Sequence, residues 1–318
     1  MKQIIGVDVG GTLLRAARFD SDLNLLERAE QETSSELGQD VVLERLYNTI
    51  QQVMPEDPDE VAGIGVGVPG PVDPETGVVI SPPNLPLKGE VPIRDLIHKA
   101  VGGKVIVGND ADAAGLAEHQ MGAGRGTRNM IYLTVSTGVG GGIIVDGKPT
   151  NGQGLGAEIG HMVVEPGGPI CGCGRRGHLE AVAYGTGIAN LARERLKAGE
   201  ASSLSKLSGS DLERIDAKLV GEAAQQGDAL ALSIITSAGR YVGITIASLI
   251  MLLNPEMFVL GGGVTNLGDL LFKPMHEAIR EYVMTDRHWQ ITRIEMAQLG
   301  VDVGLVGAAA LARLNVMK

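Results

Sequence analysis

The sequence predicts an α/β protein of two domains, and three observations carry that reading. Residues 4–8 form a short β-rich apolar run, Gly10-Gly11-Thr12 follows, and residues 13–19 continue as a second strand. A similar unit returns at residues 130–135, with Ser136-Thr137-Gly138-Val139-Gly140-Gly141-Gly142 behind it, then 143–145 and a second turn at Asp146-Gly147. Strands and helical segments alternate around these two hairpins, as in α/β proteins. The length, 318 residues, agrees with two domains at roughly 150 residues each. The hairpins lie too far apart for a solenoid repeat, so a structural duplication across two domains fits better.

Taken in order, residues 40–54 carry Val42, Leu43, Leu46, Ile50 and Val53 at helical spacing, and Pro55 terminates the run. Residues 61–68 read as a buried strand. The β-branched run at 104–107 delivers Asn109-Asp110 to an alanine-rich helix running toward Met121. The second half is mostly helical, with candidates at 180–196, 211–225 and 230–253, and residues 257–260 return as a strand ending in Gly261-Gly262-Gly263. No low-complexity linker separates the halves. The expected lobes are 1–118 with a C-terminal helix at about 301–318, and 119–300.

Composition excludes several classes. The formal net charge of −11 has the wrong sign for a chain that wraps a phosphate backbone, so no nucleic-acid partner is expected. With 44% hydrophobic and 20% charged residues the chain is globular rather than disordered. Aromatics are 3% while glycine is 46 of 318, so backbone loops rather than stacking platforms are the expected binding surfaces. The N-terminal residues lack the apolar core of a secretory signal, and the apolar stretch 244–253 is shorter than the roughly 20 residues a bilayer requires. The expectation is a cytoplasmic protein with no membrane partner.

A glycine loop at a strand end lets backbone N–H groups approach an anion with no Cβ in the way. Asp8-Val9-Gly10-Gly11-Thr12 also offers a carboxylate and a hydroxyl that could position hydrated Mg²⁺. A plain hairpin turn is the alternative for Gly10-Gly11 alone. The loop is not a Walker motif, which requires Gly-Lys-Ser/Thr opening a helix. Gly65-Val66-Gly67-Val68-Pro69-Gly70 matches the dinucleotide signature in form only, because Pro69 and Pro71 bracket its last glycine and no helix starts there.

Asp110 stands at the end of a predicted strand, where ligands of α/β sheets sit, and is a candidate general base; a helix cap is the bland alternative for Asn109-Asp110. Both cysteines of the chain, Cys171 and Cys173, fall with His161 and His178 inside one 18-residue span. Cys171 and Cys173 are too close in sequence for an unstrained structural disulfide. Two thiolates and two imidazoles suit tetrahedral Zn²⁺, and four protein ligands make the site structural.

These motifs together resemble the ROK family of sugar kinases, and within it the bacterial glucokinases. The resemblance runs over essentially the whole chain. It rests on residues 8–12, the 67–73 segment Gly-Val-Pro-Gly-Pro-Val-Asp, Pro83-Asn84-Leu85, Asn109-Asp110-Ala111, residues 136–142, Glu158-Ile159-Gly160-His161, residues 171–180 and Gly261 to Gly263. It implies an actin-like, ribonuclease-H-like fold of two domains with ATP and sugar in the interdomain cleft, Mg²⁺, a structural Zn²⁺, and a homodimer. It implies Asp110 as the base that deprotonates the 6-hydroxyl of the sugar. Gly70, Asn84, Asn109, Asp110, Glu158, His161 and Glu180 are the implied sugar ligands. Asp8, Gly10, Gly11, Thr12, Thr137 and Gly138 fall at the phosphates, and Gly261, Gly262 and Gly263 at the adenosine. His161 would serve both metal and sugar. Two positions depart from the family pattern. His178 replaces the usual third cysteine, and Leu13-Leu14 stand where a Lys or Asn often follows the first loop, which leaves cationic help to Arg15 or Arg18.

The leading expectation is ATP-dependent phosphorylation of glucose at the 6-hydroxyl. The rivals are a kinase for fructose, mannose or N-acetylmannosamine, a sugar-sensing regulator, and a chaperone-like or cytoskeletal ATPase of the same broad fold. The regulators of the family carry a helix-turn-helix ahead of the first loop, for which residues 1–7 leave no room. The ATPase reading leaves residues 161–180 without a purpose.

Overall fold

The computed structural model describes residues 2–80, 82, 85–136 and 138–317. In chain order the strands β1 (Gln3–Val9), β2 (Leu13–Phe19) and β3 (Leu25–Glu32) lead to helix α1 (Gln39–Gln52), strand β4 (Val61–Val68), the short strands β5 (Val79–Ile80) and β6 (Glu90–Val91), helix α2 (Ile93–Val101), strand β7 (Val105–Asn109) and helix α3 (Asp110–Met121). The second hairpin follows as β8 (Met130–Val135), β9 (Val139–Val145) and β10 (Lys148–Pro149). Then come α4 (Leu179–Ala183), α5 (Gly185–Lys197), α6 (Leu204–Leu207), α7 (Ala217–Gln225), α8 (Ala229–Leu253), β11 (Met257–Gly261), α9 (Asp269–Tyr282), α10 (Asp286–Gln290), β12 (Arg293–Met296) and α11 (Val303–Val316).

The chain divides into two compact units. One comprises Met1–Tyr132, Gly142–Ala157 and Ala297–Lys318, the other Leu133–Gly141 and Glu158–Met296. The first sheet has the order β3-β2-β1-β4-β7, antiparallel on the hairpin side and parallel across β1, β4 and β7. The second has the order β10-β9-β8-β11-β12.

Alternation along β1 sets the first unit's layers, because successive side chains point to opposite faces. Ile5 and Val7 join Leu46, Ile64 and Ile97 on one side, under α1 and α2, while Ile4 joins Leu116, Leu305 and Ala309 on the other, under α3 and α11. Each such fully buried aliphatic side chain contributes roughly 1.5–3 kcal/mol. Gly65 of β4 answers a close approach: a Cβ there would lie 1.8 Å from the Ala308 carbonyl oxygen of α11. The glycines that imitate a dinucleotide signature therefore include one that serves sheet–helix packing, and β4 runs into a turn rather than a helix.

The structure revises three expectations. The helix expected at 211–225 begins only at Ala217, as α7, after a single tight turn at Leu212–Arg214. The single helix at 180–196 is two, because Tyr184 takes an extended conformation (φ −86°, ψ 166°) between α4 and α5. The apolar stretch 244–253 is the end of a 25-residue helix, α8, long and apolar enough by composition to cross a bilayer, with 61% of its most apolar window buried inside the protein. Strand β3, with exposed Leu25, Leu26 and Glu27, has no alternating pattern to predict it, and its edge position explains why.

Candidate functional site

The parallel register brings the ends of three strands to one edge of the first sheet. Asp8 of β1 pairs with Gly67 of β4, Gly67 with Gly108 of β7, and Val68 with Asn109. Asn109 is the N-cap of α3: its side-chain oxygen accepts from the Ala111 amide at 2.8 Å and the Asp112 amide at 3.1 Å. Its amide nitrogen donates to the Gly70 carbonyl at 3.1 Å, where Gly70 takes a left-handed φ of 90°. Capping thus falls to Asn109, and Asp110 stands as the first helical residue, half-buried, with Oδ1 accepting from the Ala111 amide at 2.8 Å. Gly67 lies directly beside it: a Cβ there would be in ordinary contact, 3.7 Å from the Asp110 Cα.

The first glycine loop closes β1 onto β2 through Gly10 N–H to Leu13 C=O at 2.9 Å. Its carbonyls are tied from behind: the Thr33 hydroxyl donates to Gly10 at 2.6 Å, the Ser35 hydroxyl to Gly11 at 3.0 Å and the Thr33 amide to Thr12 at 2.8 Å. The amides of Gly11 and Thr12 donate to nothing among the described residues. Asp8 pairs with Arg15, whose Nη1 also donates to the Val301 carbonyl at 2.6 Å. Arg18 bonds Gln3 at 2.9 Å and pairs with Glu27 at 2.5 Å. Both arginines are thus engaged within the sheet and its surroundings.

In the second unit the loop between β8 and β9 closes through Ser136 N–H to Gly138 C=O at 2.8 Å. Glu180, on α4, accepts from the Val139 amide with Oε2 at 3.0 Å. Its Oε1 lies 3.5 Å from Cys171 Sγ. Thr137 and Asn84 lie outside the described residues. Gly142, read as part of the phosphate loop, sits in the first unit against α3, where a Cβ would meet the Ala111 carbonyl at 2.9 Å.

His161, Cys171, Cys173 and His178 present one ligand atom each within 4.8 Å of one another. Cys171 Sγ is 3.7 Å from His161 Nδ1, and Cys173 Sγ is 3.3 Å from His178 Nδ1. Bond lengths of about 2.3 Å to sulfur and 2.0 Å to nitrogen give a tetrahedral S···N edge of about 3.5 Å, so the donor set fits a zinc ion in type, number and spacing. The loop is shaped by its backbone: Cys171 N–H bonds Arg175 C=O at 2.7 Å, and Gly177, at φ 75°, packs so closely on Glu165 that a Cβ would lie 1.9 Å from its carbonyl. Burial pushes the Cys171 thiol up to about 12, with Cys173 and the Glu180 carboxylate adding to it. His161 turns its other nitrogen, Nε2, toward Glu158 at 4.0 Å. Partial burial raises the Glu158 carboxyl above its ordinary range, His161 draws it back, and Glu180 pushes the same way as burial.

A cavity of about 690 Å³ lies in the second unit, lined among others by Ser136, Gly185, Asp216, Lys218, Gly263 and Asn266. Gly262, at φ 90°, lets the end of β11 pass beside β8, where a Cβ would fall 2.3 Å from the Val135 carbonyl, and Gly261 closes the strand. Of the three glycines expected at the adenosine, Gly263 lines this cavity, and so does Arg193, which the sequence did not suggest. Arg193 of α5 donates to the carbonyls of Leu212, Glu213 and Ile215 at 2.9, 3.0 and 2.7 Å. Little in the sequence marks Arg193, because three of its partners are backbone carbonyls and the fourth is its helix neighbour Asn190, whose Oδ1 accepts at 2.9 Å.

Known proteins resemble the chain over nearly its whole length. The chain is 39% identical over 310 residues to the glucokinase of Thermotoga maritima, covering 97% of this chain and 96% of that protein. The structure of a ROK hexokinase from Thermus thermophilus superposes with a TM-score of 0.84 at 36% identity, covering 99% of each chain. That of a ROK family glucokinase from Streptomyces griseus, in complex with glucose and AMPPNP, does so with 0.81 at 34% identity, covering 98% of this chain and 99% of the other. Those neighbours share the actin-like ATPase fold read from the sequence. The ROK family sequence model matches residues 4–315, and the chain belongs to the ROK family.

Proposed function

We propose that this protein transfers the γ-phosphoryl group of ATP to the 6-hydroxyl of glucose. The observation that carries the reading is the division of labour between Asn109 and Asp110: the asparagine caps α3, and the aspartate stands at the sheet edge where a base is needed. Asp110 accepts the proton of the attacking hydroxyl, a contribution of about 10²–10⁴ in rate. The amides of Gly11 and Thr12 neutralise phosphate charge as it shifts in the loose transition state, with Gly10 holding the turn and Gly138 acting likewise in the second hairpin. Mg²⁺ supplies further charge neutralisation, and Asp8 is the carboxylate placed to orient its hydration shell.

Asn109, Glu158, His161 and Glu180 are the hydroxyl ligands, with the Gly70 carbonyl and Asn84 completing the set. A site built on hydroxyl bonds rejects analogues that lack one. His161, Cys171, Cys173 and His178 would hold a zinc ion, which would cross-link residues 161–178. With Nδ1 on the metal side, His161 keeps Nε2 for the substrate. The 690 Å³ cavity, with Gly263 on its wall, takes the adenosine. The reading includes a homodimer in the cytoplasm without nucleic acid, in line with the net charge of −11. A coupled assay with Mg·ATP across glucose, fructose, mannose and N-acetylmannosamine tests it. Glucose should give the highest kcat/KM; preference for another sugar moves the substrate, and phosphorylation of none overturns the reading.

A further inference from the structure

The metal segment and the second glycine loop touch at three points. Glu180 accepts the Val139 amide at 3.0 Å, and a Cβ on Gly138 would lie 3.0 Å from the same carboxylate oxygen. Gly160, next to His161, lies so close to the same residue that a Cβ would sit 2.0 Å from the Val139 carbonyl oxygen. Gly185, at the start of α5, donates to the Ser136 carbonyl at 2.8 Å. Both Gly160 and Glu180 are within two residues of a metal-ligand histidine, and His178 is the residue that precedes α4. The other Glu180 oxygen reaches Cys171. The loop thus leans on chain whose position is set by the four-ligand cluster.

We propose that Glu180 is a positioning residue that couples metal occupancy to the order of the 136–142 loop, so that the metal centre governs nucleotide affinity as well as the fold of its own segment. The inference rests on the reading of that loop as a phosphate binder. Four side chains gathered on one ion tie residues 161–178 together, so Gly160 and Glu180 keep a fixed separation, one packed on the Val139 carbonyl and the other accepting its amide. Without the ion, the two ends of that clamp move independently and the Val139 amide loses its charged acceptor. A hydrogen bond to a charged group contributes about 1.5–3 kcal/mol, which corresponds to at least tenfold in the opening of the loop.

The test uses the whole chain, its zinc content measured, as wild type, Glu180→Ala and Glu180→Gln, each before and after chelation. Hydrogen–deuterium exchange of peptides spanning 136–142 is the first readout, and peptides from β1 and α8 report whether the fold survives. Calorimetric titration with Mg·AMPPNP, without sugar, is the second. We expect about one zinc per chain, exchange at 136–142 about tenfold faster in Glu180→Ala with zinc retained, and rescue to within about threefold in Glu180→Gln, whose amide oxygen still accepts from Val139. Chelation should produce the same acceleration in wild type and add little to Glu180→Ala, and Mg·AMPPNP affinity should fall in parallel. Unchanged exchange in Glu180→Ala, independent multiplying effects of chelation and mutation, or absence of zinc uptake each overturn the coupling. If chelation unfolds the chain, the zinc-retaining Glu180→Ala protein still decides the question. If Mg·AMPPNP binds to no form, the proposed function fails, and the exchange rates still report on the clamp.

Discussion

The two glycine hairpins look alike in sequence and are held in unlike ways. Gly10-Gly11-Thr12 is braced by short-range hydroxyls: Thr33 and Ser35, just beyond the adjoining strand, tie its carbonyls and leave the Gly11 and Thr12 amides pointing elsewhere. The 136–142 loop is braced by a carboxylate, a glycine contact and an amide drawn from residues 160–185, where the four candidate metal-binding side chains sit. A pair of strands with a glycine turn is therefore only the visible part of each loop. What differs is the supporting chain, which in one case is neutral and local and in the other is charged and tied to a cluster of four soft and borderline donors.

The comparison is broken most severely at Asp110, which belongs to the first hairpin's sheet edge and to no part of the metal segment. Asp110→Asn should lower kcat by about 10²–10⁴ while glucose and Mg·AMPPNP affinities stay within a few-fold, because only proton acceptance is lost. Equal losses in affinity and turnover would move the chemistry away from Asp110. Next in size are paired glycine substitutions. Gly160→Ala places a methyl 2.0 Å from the Val139 carbonyl, whereas Gly10→Ala places one 2.9 Å from the Leu13 carbonyl within its own turn. Overpacking of the first kind costs about 1–3 kcal/mol. Thermal unfolding should show the larger drop for Gly160→Ala, and a reversed order would mean that the second loop yields more readily than its contacts indicate.

Much of this contrast was legible in the sequence, and the part that was not has a physical cause. The strand at 61–68 shows itself because it is a continuous buried apolar run, and the helix at 39–52 because its apolar residues recur at helical spacing. The metal cluster shows itself because cysteine is scarce and both copies fall beside two histidines. Glu180 was expected at the sugar only through resemblance, and its bond to Val139 was not readable at all, since a backbone partner leaves no trace in side-chain pattern. The same holds for Arg193 on three carbonyls. It holds too for fully buried Glu118, which accepts from the amides of Ala123, Gln298 and Leu299 at 2.9 Å each and so ties α3 to the chain entering α11. The break at Tyr184 did carry a signal, since Gly185-Thr186-Gly187 are poor helix formers, and the longer helical run on either side obscured it.

A smaller effect sharpens the local side of the comparison. Thr33 is fully buried, and its hydroxyl bond to Gly10 is worth about 1 kcal/mol. Thr33→Val keeps the shape and removes the donor, leaving a carbonyl of the first loop without that partner. The expected outcome is a several-fold rise in KM for ATP with exchange at 136–142 unchanged. A change at 136–142 would mean that the two hairpins do not have separate supports.

The smallest predicted effect on nucleotide binding comes from a variant that weakens the second unit without touching its glycine loop. Asp228 caps α8 through the Ala231 amide at 2.9 Å and also accepts from the Ser203 amide at 2.6 Å and the Ser203 and Ser202 hydroxyls at 2.8 and 2.9 Å. Partial burial pushes its carboxyl up, but these bonds together outweigh burial and hold it below the ordinary range. A carboxyl whose folded pKa is depressed stabilises the protein above its unfolded value, about 3.9, and that contribution is lost as pH falls through the lower folded value. Asp228→Ala should therefore cost about 1 kcal/mol of stability at pH 7, as removal of a cap does. The gap from wild type should narrow in acid, at a pH below the unfolded value of about 3.9. Urea titrations at both pH values measure it. Mg·AMPPNP affinity at pH 7 should be unaltered, because Asp228 is absent from the contacts that hold Val139 and Ser136. A loss there comparable to that of Glu180→Ala would mean that the second loop reads the stability of its whole unit, and the metal clamp would no longer distinguish the two hairpins.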